Sequence, residues 1–173
     1  MGVKNFLIEG VSCTGKTSVC HALRQRGYQA INGDQELAYC GDPESGKPLE
    51  LPLDIVDTRR AEWLHTHHIW DLGKVRSLVS DKNETITFFC GGSRNFPHFI
   101  DLFDCVFVLV IDRVTLEQRL RERPKDEFGS NPQERDLILR LHSTQQDIPQ
   151  DCIEIDATNR LNEVVEDILT RCN

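Results

Sequence analysis

Short apolar runs alternate along the chain with longer segments whose apolar residues have helical spacing. The predicted strands are 5–9, 28–32, 85–90, 105–111 and 152–156. The predicted helices cover 16–26, 54–80 in pieces, 114–123, 132–146 and 161–172. Each apolar run is continuous rather than alternating in polarity, which is typical of parallel strands that helices cover on both faces. The pattern therefore predicts an α/β fold with a mainly parallel sheet between two layers of helices.

Glycine and proline mark the boundaries between these elements. Gly27 follows the first predicted helix, and Pro124 ends the helix predicted at 114–123. Residues 41–53, GDPESGKPLELPL, contain three prolines and are predicted to form a loop. A length of 173 residues suits one domain with a buried core, so a single domain is expected over 1–173.

Charge and composition narrow the expected partners. The chain has 28 Asp and Glu against 20 Lys and Arg, a formal net charge of −8, and an acidic surface repels a phosphate backbone. No apolar run approaches the roughly 20 residues that span a bilayer, and the first residues show no signal segment. A cytoplasmic protein with no nucleic acid and no membrane as partner is therefore expected. The seven cysteines form no C-x-x-C pair, which favours reduced thiols.

One motif carries most of the functional signal. Residues 10–17, GVSCTGKT, fit G-x-x-x-x-G-K-[ST] at every fixed position, between a predicted strand and a predicted helix. The glycines let backbone N–H groups face an anion, and the following helix adds the positive end of its dipole. Lys16 is placed to reach the β- and γ-phosphates, and the Thr17 hydroxyl to bind Mg²⁺. The motif predicts that a nucleoside triphosphate is bound by Gly10, Ser12, Cys13, Thr14, Gly15, Lys16, Thr17 and Ser18.

Two other classes of phosphate-loop protein would need a second motif. A GTPase carries N-K-x-D, which the sequence lacks, and the D-x-x-G at 126–129 does not follow an apolar strand. A motor or transporter ATPase carries an apolar strand that ends in Asp or Asp-Glu, whereas the strand at 85–90 runs into CGGSRN. An ATP-hydrolysing switch or sensor stays open as the alternative to a small-molecule kinase.

A small-molecule kinase needs an acid near the acceptor hydroxyl and cations around its anions. Asp34 follows the second predicted strand, where strand ends converge on the ligand crevice of such a sheet. We interpret it as the group that orients the acceptor hydroxyl or accepts its proton and that helps to hold Mg²⁺; the alternative is a helix N-cap. Gly91 and Gly92 are candidates for substrate contact, because they permit close approach of the backbone to a ligand. Arg94, which follows them, is the candidate that binds a substrate anion, or else a surface arginine on a glycine turn.

Two arginines in the helix at 114–123 lie four residues apart and share one face. Arg119 and Arg123 are candidates to neutralise the transferred phosphoryl group, and a solvated helix end is the alternative. The loop IDATNR at 155–160 is a candidate adenine contact through Thr158 and Asn159, or an ordinary turn into the last helix.

The segment EWLHTHHIWD at 62–71 is dense in histidine. The i, i+2 and i, i+3 spacing of His65, His67 and His68 is a weak indication of a metal site. Contact with substrate, with His68 and the nearby Arg59 as candidates, and plain helix packing are both open.

The order of these features resembles the nucleoside monophosphate kinase group, which includes adenylate, shikimate and gluconate kinases and related bacterial nucleoside kinases. The resemblance rests on GVSCTGKT, NGD, CGGSRN, LEQRLRER and IDAT and spans nearly the whole chain. It implies a three-layer P-loop fold with a five-stranded parallel sheet in the order 2-3-1-4-5. It also implies a substrate-binding helical insert at about 35–80, a lid at about 119–135, and the site roles given above. Adenylate kinases carry Asp-Gly-Phe-Pro-Arg where this chain has CGGSRN, which disfavours a monophosphate acceptor.

These features together predict an ATP- and Mg²⁺-dependent kinase that transfers the γ-phosphoryl group to a small molecule. Trp63 and Trp70, with the neighbouring histidines, are candidates to stack on a base, which favours a nucleoside or nucleotide acceptor. A shikimate- or gluconate-like hydroxyl compound is the alternative acceptor. A monomer or a homodimer is expected.

Overall fold

A five-stranded parallel sheet forms the centre of the computed structural model. The structure describes residues 3–172; for residues 57 and 58 within this range it describes the backbone only. The strands are β1 Lys4–Glu9, β2 Gln29–Asn32, β3 Ala38–Cys40, β4 His68–Trp70, β5 Ile86–Cys90, β6 Cys105–Val110 and β7 Ile153–Asp156. The order across the sheet is β2-β5-β1-β6-β7, and every neighbouring pair is parallel. β3 and β4 lie outside this sheet. When its five strands are numbered 1 to 5 by their order along the chain, their spatial order is 2-3-1-4-5, which confirms the expected α/β fold.

The helices are α1 Lys16–Gln25, α2 Gly33–Glu36, α3 Asp57–Thr66, α4 Leu72–Ser80, α5 Arg113–Arg121, α6 Pro132–Thr144 and α7 Leu161–Arg171, with short 3₁₀ helices at Phe96–His98 and Ile100–Leu102. Asp71, Asp112 and Asn131 cap the N-termini of α4, α5 and α6 by accepting a hydrogen bond from the N–H three residues further on. Within residues 3–172, no helix is both long enough and apolar enough to cross a bilayer.

Successive residues of β1 enter two different hydrophobic cores, one on each face of the sheet. Phe6 and Ile8 pack in the core that also holds residues of α1, α5, α6 and α7. Leu7 packs in the second core, with Val75 of α4 and Phe99. Both faces of the strand are therefore buried, which explains why its sequence is apolar without interruption.

An antiparallel ribbon of β3 and β4 adjoins the carboxyl ends of β2 and β5. Cys40 pairs with His68, and Ala38 pairs with Trp70. The prediction of helical structure in pieces over 54–80 is wrong at residues 68–70, and neither β3 nor α2 was predicted. Elements of three or four residues are too short to show a hydrophobic period, so neighbouring chain segments rather than local pattern define them.

The contact between Gly33 and Trp70 leaves no room for a side chain on the glycine. A Cβ on Gly33 would lie 2.0 Å from Trp70 Cζ2, and Trp70 is fully buried and stacked on Phe99 with ring centroids 5.6 Å apart. Gly33→Ala is therefore expected to lower the free energy of unfolding by at least about 2 kcal/mol in urea denaturation. Gly73→Ala in α4 is the control, because its Cβ would meet only the Asp71 carboxylate, at 3.2 Å. Equal losses in the two variants would contradict the packing argument.

Candidate active site

The loop between β1 and α1 has the backbone shape of an anion cradle. Gly10, Cys13 and Gly15 have positive φ angles of 149°, 72° and 106°. A Cβ on Gly10 would lie 2.7 Å from Thr14 Oγ1 and 2.8 Å from the Leu109 carbonyl oxygen, so only glycine fits there. Backbone of this kind turns several N–H groups toward one point, as a phosphate requires.

The Lys16 ammonium lies inside this loop. It donates hydrogen bonds to the carbonyl oxygens of Gly10, at 2.5 Å, and Val11, at 3.1 Å. Neutral oxygens hold the ammonium in place without cancelling its charge, so it stays available to a phosphate. Thr17 and Ser18 lie in the first turn of α1 and line the same space, and the binding of Mg²⁺ by the Thr17 hydroxyl stays a prediction.

Asp34 is held beside the loop through one carboxylate oxygen. Its Oδ1 accepts a hydrogen bond from the Gly92 N–H at 3.2 Å and lies 3.2 Å from His68 Nε2. Gly91 permits this approach, because a Cβ there would lie 2.8 Å from the same oxygen. Burial acts to raise the pKa of Asp34, but the His68 hydrogen bond, the Lys16 charge and the Gly92 N–H together lower it below its ordinary value. Asp34 is therefore ionised at neutral pH.

Arg94 is positioned by a short segment that pairs with the edge of β4. The Trp70 N–H donates to Ser93 Oγ at 3.1 Å and to Asn95 Oδ1 at 3.0 Å, and Asn95 Nδ2 donates to the Trp70 carbonyl oxygen at 3.0 Å. The Arg94 N–H donates to the His68 carbonyl oxygen at 2.9 Å. Ser93 and Asn95 are buried, so these bonds are costly to break. The segment thus fixes Arg94 and His68 relative to each other.

Asp147, on the loop between α6 and β7, connects Arg94 to α3. Its Oδ2 lies 2.7 Å from His65 Nε2 and 3.2 Å from Arg94 Nη1. The His65 hydrogen bond lowers the pKa of Asp147, burial opposes it, and the Arg94 charge lowers the pKa further. Sequence reasoning missed Asp147 because no motif surrounds it and its partners are 82 and 53 residues away along the chain.

Glu9 is a second carboxylate that sequence reasoning missed. It ends β1, is 1% exposed, and its Oε1 accepts a hydrogen bond from the Gly10 N–H at 3.0 Å. Burial raises the pKa of Glu9 above its ordinary value, although the charges of Arg94 and Lys16 oppose this. The available signal was a glutamate at the end of the apolar run NFLIE, directly before the phosphate loop.

Arg119 ties the phosphate loop to the loop that follows β7. Its Nη1 donates to the carbonyl oxygens of Cys13, at 3.2 Å, and Thr14, at 3.0 Å. Its Nη2 donates to the Ala157 carbonyl oxygen at 2.7 Å. Arg119 therefore lies beside the phosphate loop and holds two loops together, a structural role that the sequence did not show. Its predicted role at the transferred phosphoryl group stays a prediction.

Arg123 also lines the cavity, but its side chain is bonded within its own segment. Its Nε donates to the Phe128 carbonyl oxygen at 2.8 Å, and its Nη2 lies 3.3 Å from the Glu127 carboxylate. The segment predicted as a lid, 119–135, contains the end of α5, this bonded turn and the start of α6. Its function as a lid stays a prediction.

The loop after β7 places only one of its two predicted adenine contacts in the cavity. Asn159 lines the cavity. The Thr158 hydroxyl donates to Asp156 Oδ1, and Thr158 is not among the cavity-lining residues that the structure describes.

The aromatic and basic residues of the insert are only partly placed as predicted. His68 lines the cavity, whereas Arg59 is exposed on α3 outside the described lining. Trp70 is fully buried in the core, and Trp63 packs on His67 with ring centroids 4.3 Å apart. The expectation of base stacking is therefore wrong for Trp70, which is buried in the core. Trp63 is half-buried and lies outside the described cavity lining, and its stacking on a base stays a prediction.

A single cavity of about 990 Å³ joins the groups described above. One part, the phosphate-loop side, is lined by residues 10–19, Arg119, Arg123 and Asn159. The other part, which we call the insert side, is lined by Glu9, Asp34, His65, His68, Arg94 and Asp147. The volume is in the range of small-molecule sites.

The donor set fits a magnesium ion that is bound largely through phosphates. In the described part of the chain, no three or more His, Cys, Asp and Glu side chains converge as a metal site, and this includes the three histidines of the insert. Mg²⁺ in phosphoryl-transfer sites typically uses one or two protein ligands besides substrate phosphates. Thr17 and Asp34 line the same cavity and are of the required type.

Comparison with known proteins agrees with this architecture. No protein-family model matches the chain, and no curated protein sequence matches it. Among solved structures, a sugar kinase from Janibacter sp. HTCC2649 has a TM-score of 0.57 at 17% identity, over 97% of this chain and 93% of its own. A shikimate kinase from Bacteroides thetaiotaomicron has a TM-score of 0.56 at 15% identity, over 98% of both chains. A deoxyadenosine kinase from M. mycoides has a TM-score of 0.50 at 13% identity, over 97% and 98%.

The chain therefore has the fold of the P-loop small-molecule kinases. The similar structures span nearly the full length of this chain, so the sheet, the phosphate loop and the insert all lie within the shared architecture. The resemblance noted in the sequence is confirmed for the fold.

Proposed function

We propose that this protein is an ATP- and Mg²⁺-dependent kinase that phosphorylates a hydroxyl group of a small molecule. The observation that carries the proposal is one cavity that contains both the phosphate loop with Lys16 and an insert side with Asp34 and Arg94. An ATP-hydrolysing switch needs the phosphate loop but no second polar space beside it for an acceptor. The names of the similar structures, a sugar kinase, a shikimate kinase and a deoxyadenosine kinase, support the same choice.

In the proposed reaction one bond forms and one breaks. The acceptor oxygen bonds to the γ-phosphorus, the bond from that phosphorus to the β–γ bridging oxygen breaks, and its electron pair leaves with ADP. The hydroxyl proton passes to Asp34, which the Gly92 N–H holds in place. Lys16 neutralises charge on the β- and γ-phosphates, with Arg119 nearby. Mg²⁺, bound to Thr17 and the phosphates, would supply further charge neutralisation.

The acceptor class has to be argued without the tryptophans. Because Trp70 is buried and Trp63 lies outside the described cavity lining, the preference for a nucleoside loses the tryptophan part of its stacking argument. The neighbouring histidines His65 and His68 still line the cavity. Nucleosides remain candidates alongside sugars, polyols and hydroxy acids, since each has a hydroxyl group that could accept the phosphoryl group.

The test is ADP release by the purified protein with ATP and Mg²⁺, screened against nucleosides, nucleoside monophosphates, sugars, polyols, shikimate and gluconate. We expect one class of compound to raise ADP release many-fold and to gain the mass of one phosphoryl group. The Lys16→Ala protein gives the background rate of contaminating kinases. Slow ADP release that no compound changes, in a protein that binds ATP, would favour the switch.

A further inference from the structure

The insert side of the cavity has more carboxyl groups than Lys or Arg side chains. Its carboxylates are Glu9, Asp34 and Asp147, and Arg94 is the one Lys or Arg among its described lining residues. The remaining cations of the cavity lie on the phosphate-loop side: Lys16, Arg119 and Arg123. Glu9 is only 1% exposed and burial raises its pKa, whereas the Asp34 and Asp147 side chains are 38% and 30% exposed. A molecule that enters the insert side therefore meets two carboxylates, one guanidinium and the imidazoles of His65 and His68.

The positive charge of Arg94 is already compensated. Arg94 Nη1 lies 3.2 Å from Asp147 Oδ2 and donates to the Asp147 carbonyl oxygen at 3.4 Å. The Arg94 side chain is only 12% exposed, and a Cβ on Gly92, directly above Glu9, would lie 3.5 Å from its Nη2. The guanidinium is therefore paired with the Asp147 carboxylate rather than facing an empty anion site, and its charge also acts on the buried Glu9 carboxyl.

Asp147 is itself held in place, so it does not move aside freely. Its Oδ2 also lies 2.7 Å from His65 Nε2, which anchors the carboxylate to α3. An anionic ligand at Arg94 would have to displace this carboxylate or sit beside it. Like charges a few ångströms apart in a partly buried site repel strongly, and breaking a buried ion pair leaves a charge without its partner.

We propose that Asp147 is a specificity-determining residue that excludes anionic acceptors, so that the acceptor is an uncharged hydroxyl compound such as a nucleoside, a sugar or a polyol. The inference rests on the proposed kinase function and narrows its acceptor class. Carboxylates accept hydrogen bonds from hydroxyl donors, so an insert side of this composition suits a molecule with several hydroxyl groups. Shikimate, gluconate and nucleoside monophosphates are anions and are expected to be poor acceptors.

The first test compares acceptors with and without an anionic group that keep the same candidate acceptor hydroxyl. The pairs are glucitol and gluconate, methyl shikimate and shikimate, and a nucleoside and its 3′-monophosphate, in which the 5′-hydroxyl is still free. In the pair that the wild-type protein phosphorylates, we expect kcat/KM to be at least about tenfold higher for the uncharged member. A charged member that is the better acceptor would overturn the proposal.

The second test needs no acceptor. Protein loaded with Mg²⁺ and adenylyl imidodiphosphate, which occupies the phosphate loop, is titrated with inorganic phosphate in a calorimeter. Asp147→Asn frees Arg94 and is expected to bind phosphate at least about tenfold more tightly than the wild type. Adding Arg94→Met to this variant is expected to remove the gain, because the guanidinium is the phosphate ligand. Asp147→Ser is a second variant with the same expected gain, in case the first does not fold.

Asp167→Asn is the matched control for the loss of one aspartate from an arginine ion pair. Asp167 Oδ1 lies 2.7 Å from Arg171 Nε on α7, outside the described cavity lining, so phosphate binding is expected to match the wild type. Equal phosphate affinity in the wild type and both Asp147 variants would overturn the proposal. Failure of the wild type to bind the nucleotide analogue would instead overturn the kinase function. In that case phosphate would also bind at the phosphate loop, to the same extent in the wild type and in every variant. The difference in phosphate affinity between the variants would therefore still report binding at Arg94.

Discussion

Lys16→Ala is expected to weaken ATP binding by at least about tenfold and to lower the turnover number by at least about 100-fold. The Lys16 ammonium is held inside the phosphate loop by the carbonyl oxygens of Gly10 and Val11, so its charge is fixed where the β- and γ-phosphates would lie. In Lys16→Ala, the negative charge that builds up between the β- and γ-phosphates during transfer would lose the Lys16 ammonium, its nearest fixed cation. ATP affinity is measured by calorimetry and turnover by ADP release with the acceptor that the screen identifies.

Lys74→Ala is the matched control for this substitution. Lys74 is exposed on α4, outside the described cavity lining, so both ATP affinity and turnover are expected to match the wild type. Lys16→Arg tests whether positive charge alone is sufficient. It keeps the charge, but the planar guanidinium is larger than an ammonium and does not fit the same pair of carbonyl oxygens. ADP production unchanged in Lys16→Ala would remove the phosphate loop from the proposed function.

The parts of the site that could be predicted are those that depend on short stretches of sequence. The phosphate loop is continuous, and its glycines are required by backbone angles that the motif itself specifies. Asp34 and Arg94 could be predicted because each follows an apolar strand, and the ends of parallel strands meet at one edge of a sheet. The sheet order could be expected only through the resemblance, since local pattern does not state which strands are neighbours.

The parts that could not be predicted depend on contacts between distant segments. Asp147 acquires its role only because α6 ends next to the segment that carries Arg94 and next to His65. The ribbon of β3 and β4 is defined by pairing between residues about 30 apart and by the bonds from Ser93 and Asn95. Such contacts have no signature in one sequence.

The tryptophans show that a local cluster of residues does not determine which of its side chains face the site. A local cluster of aromatic and histidine residues indicated a base-stacking surface, but the fold turns Trp70 into the core against Phe99. Residue type gave the correct region, since His65 and His68 line the cavity, and only the fold determines which side chains face it.

Asp34→Asn is expected to lower the turnover number by about 100- to 10,000-fold while ATP affinity stays nearly unchanged. An asparagine Oδ1 still accepts the hydrogen bonds from the Gly92 N–H and His68, so the local geometry is kept and only the charge and the basicity are lost. The measurement combines ATP calorimetry with steady-state ADP release at saturating acceptor. Asp54→Asn is the control, because Asp54 is exposed in the insert and lies outside the described cavity lining.

The lowered pKa of Asp34 adds a pH dependence to the same prediction. The ionised carboxylate is the active form, so the contribution of Asp34 is present above its folded pKa and is lost as pH falls through that value. Since that pKa lies below the ordinary aspartate value of about 3.9, Asp34 is expected to stay active throughout pH 5 to 8. A carboxylate of such low basicity acts mainly by orienting the acceptor hydroxyl, and it takes the proton late, as a loose phosphoryl-transfer transition state allows.

Near-normal turnover of Asp34→Asn would remove Asp34 from the mechanism. Turnover lost together with ATP binding would instead make Asp34 part of the nucleotide site.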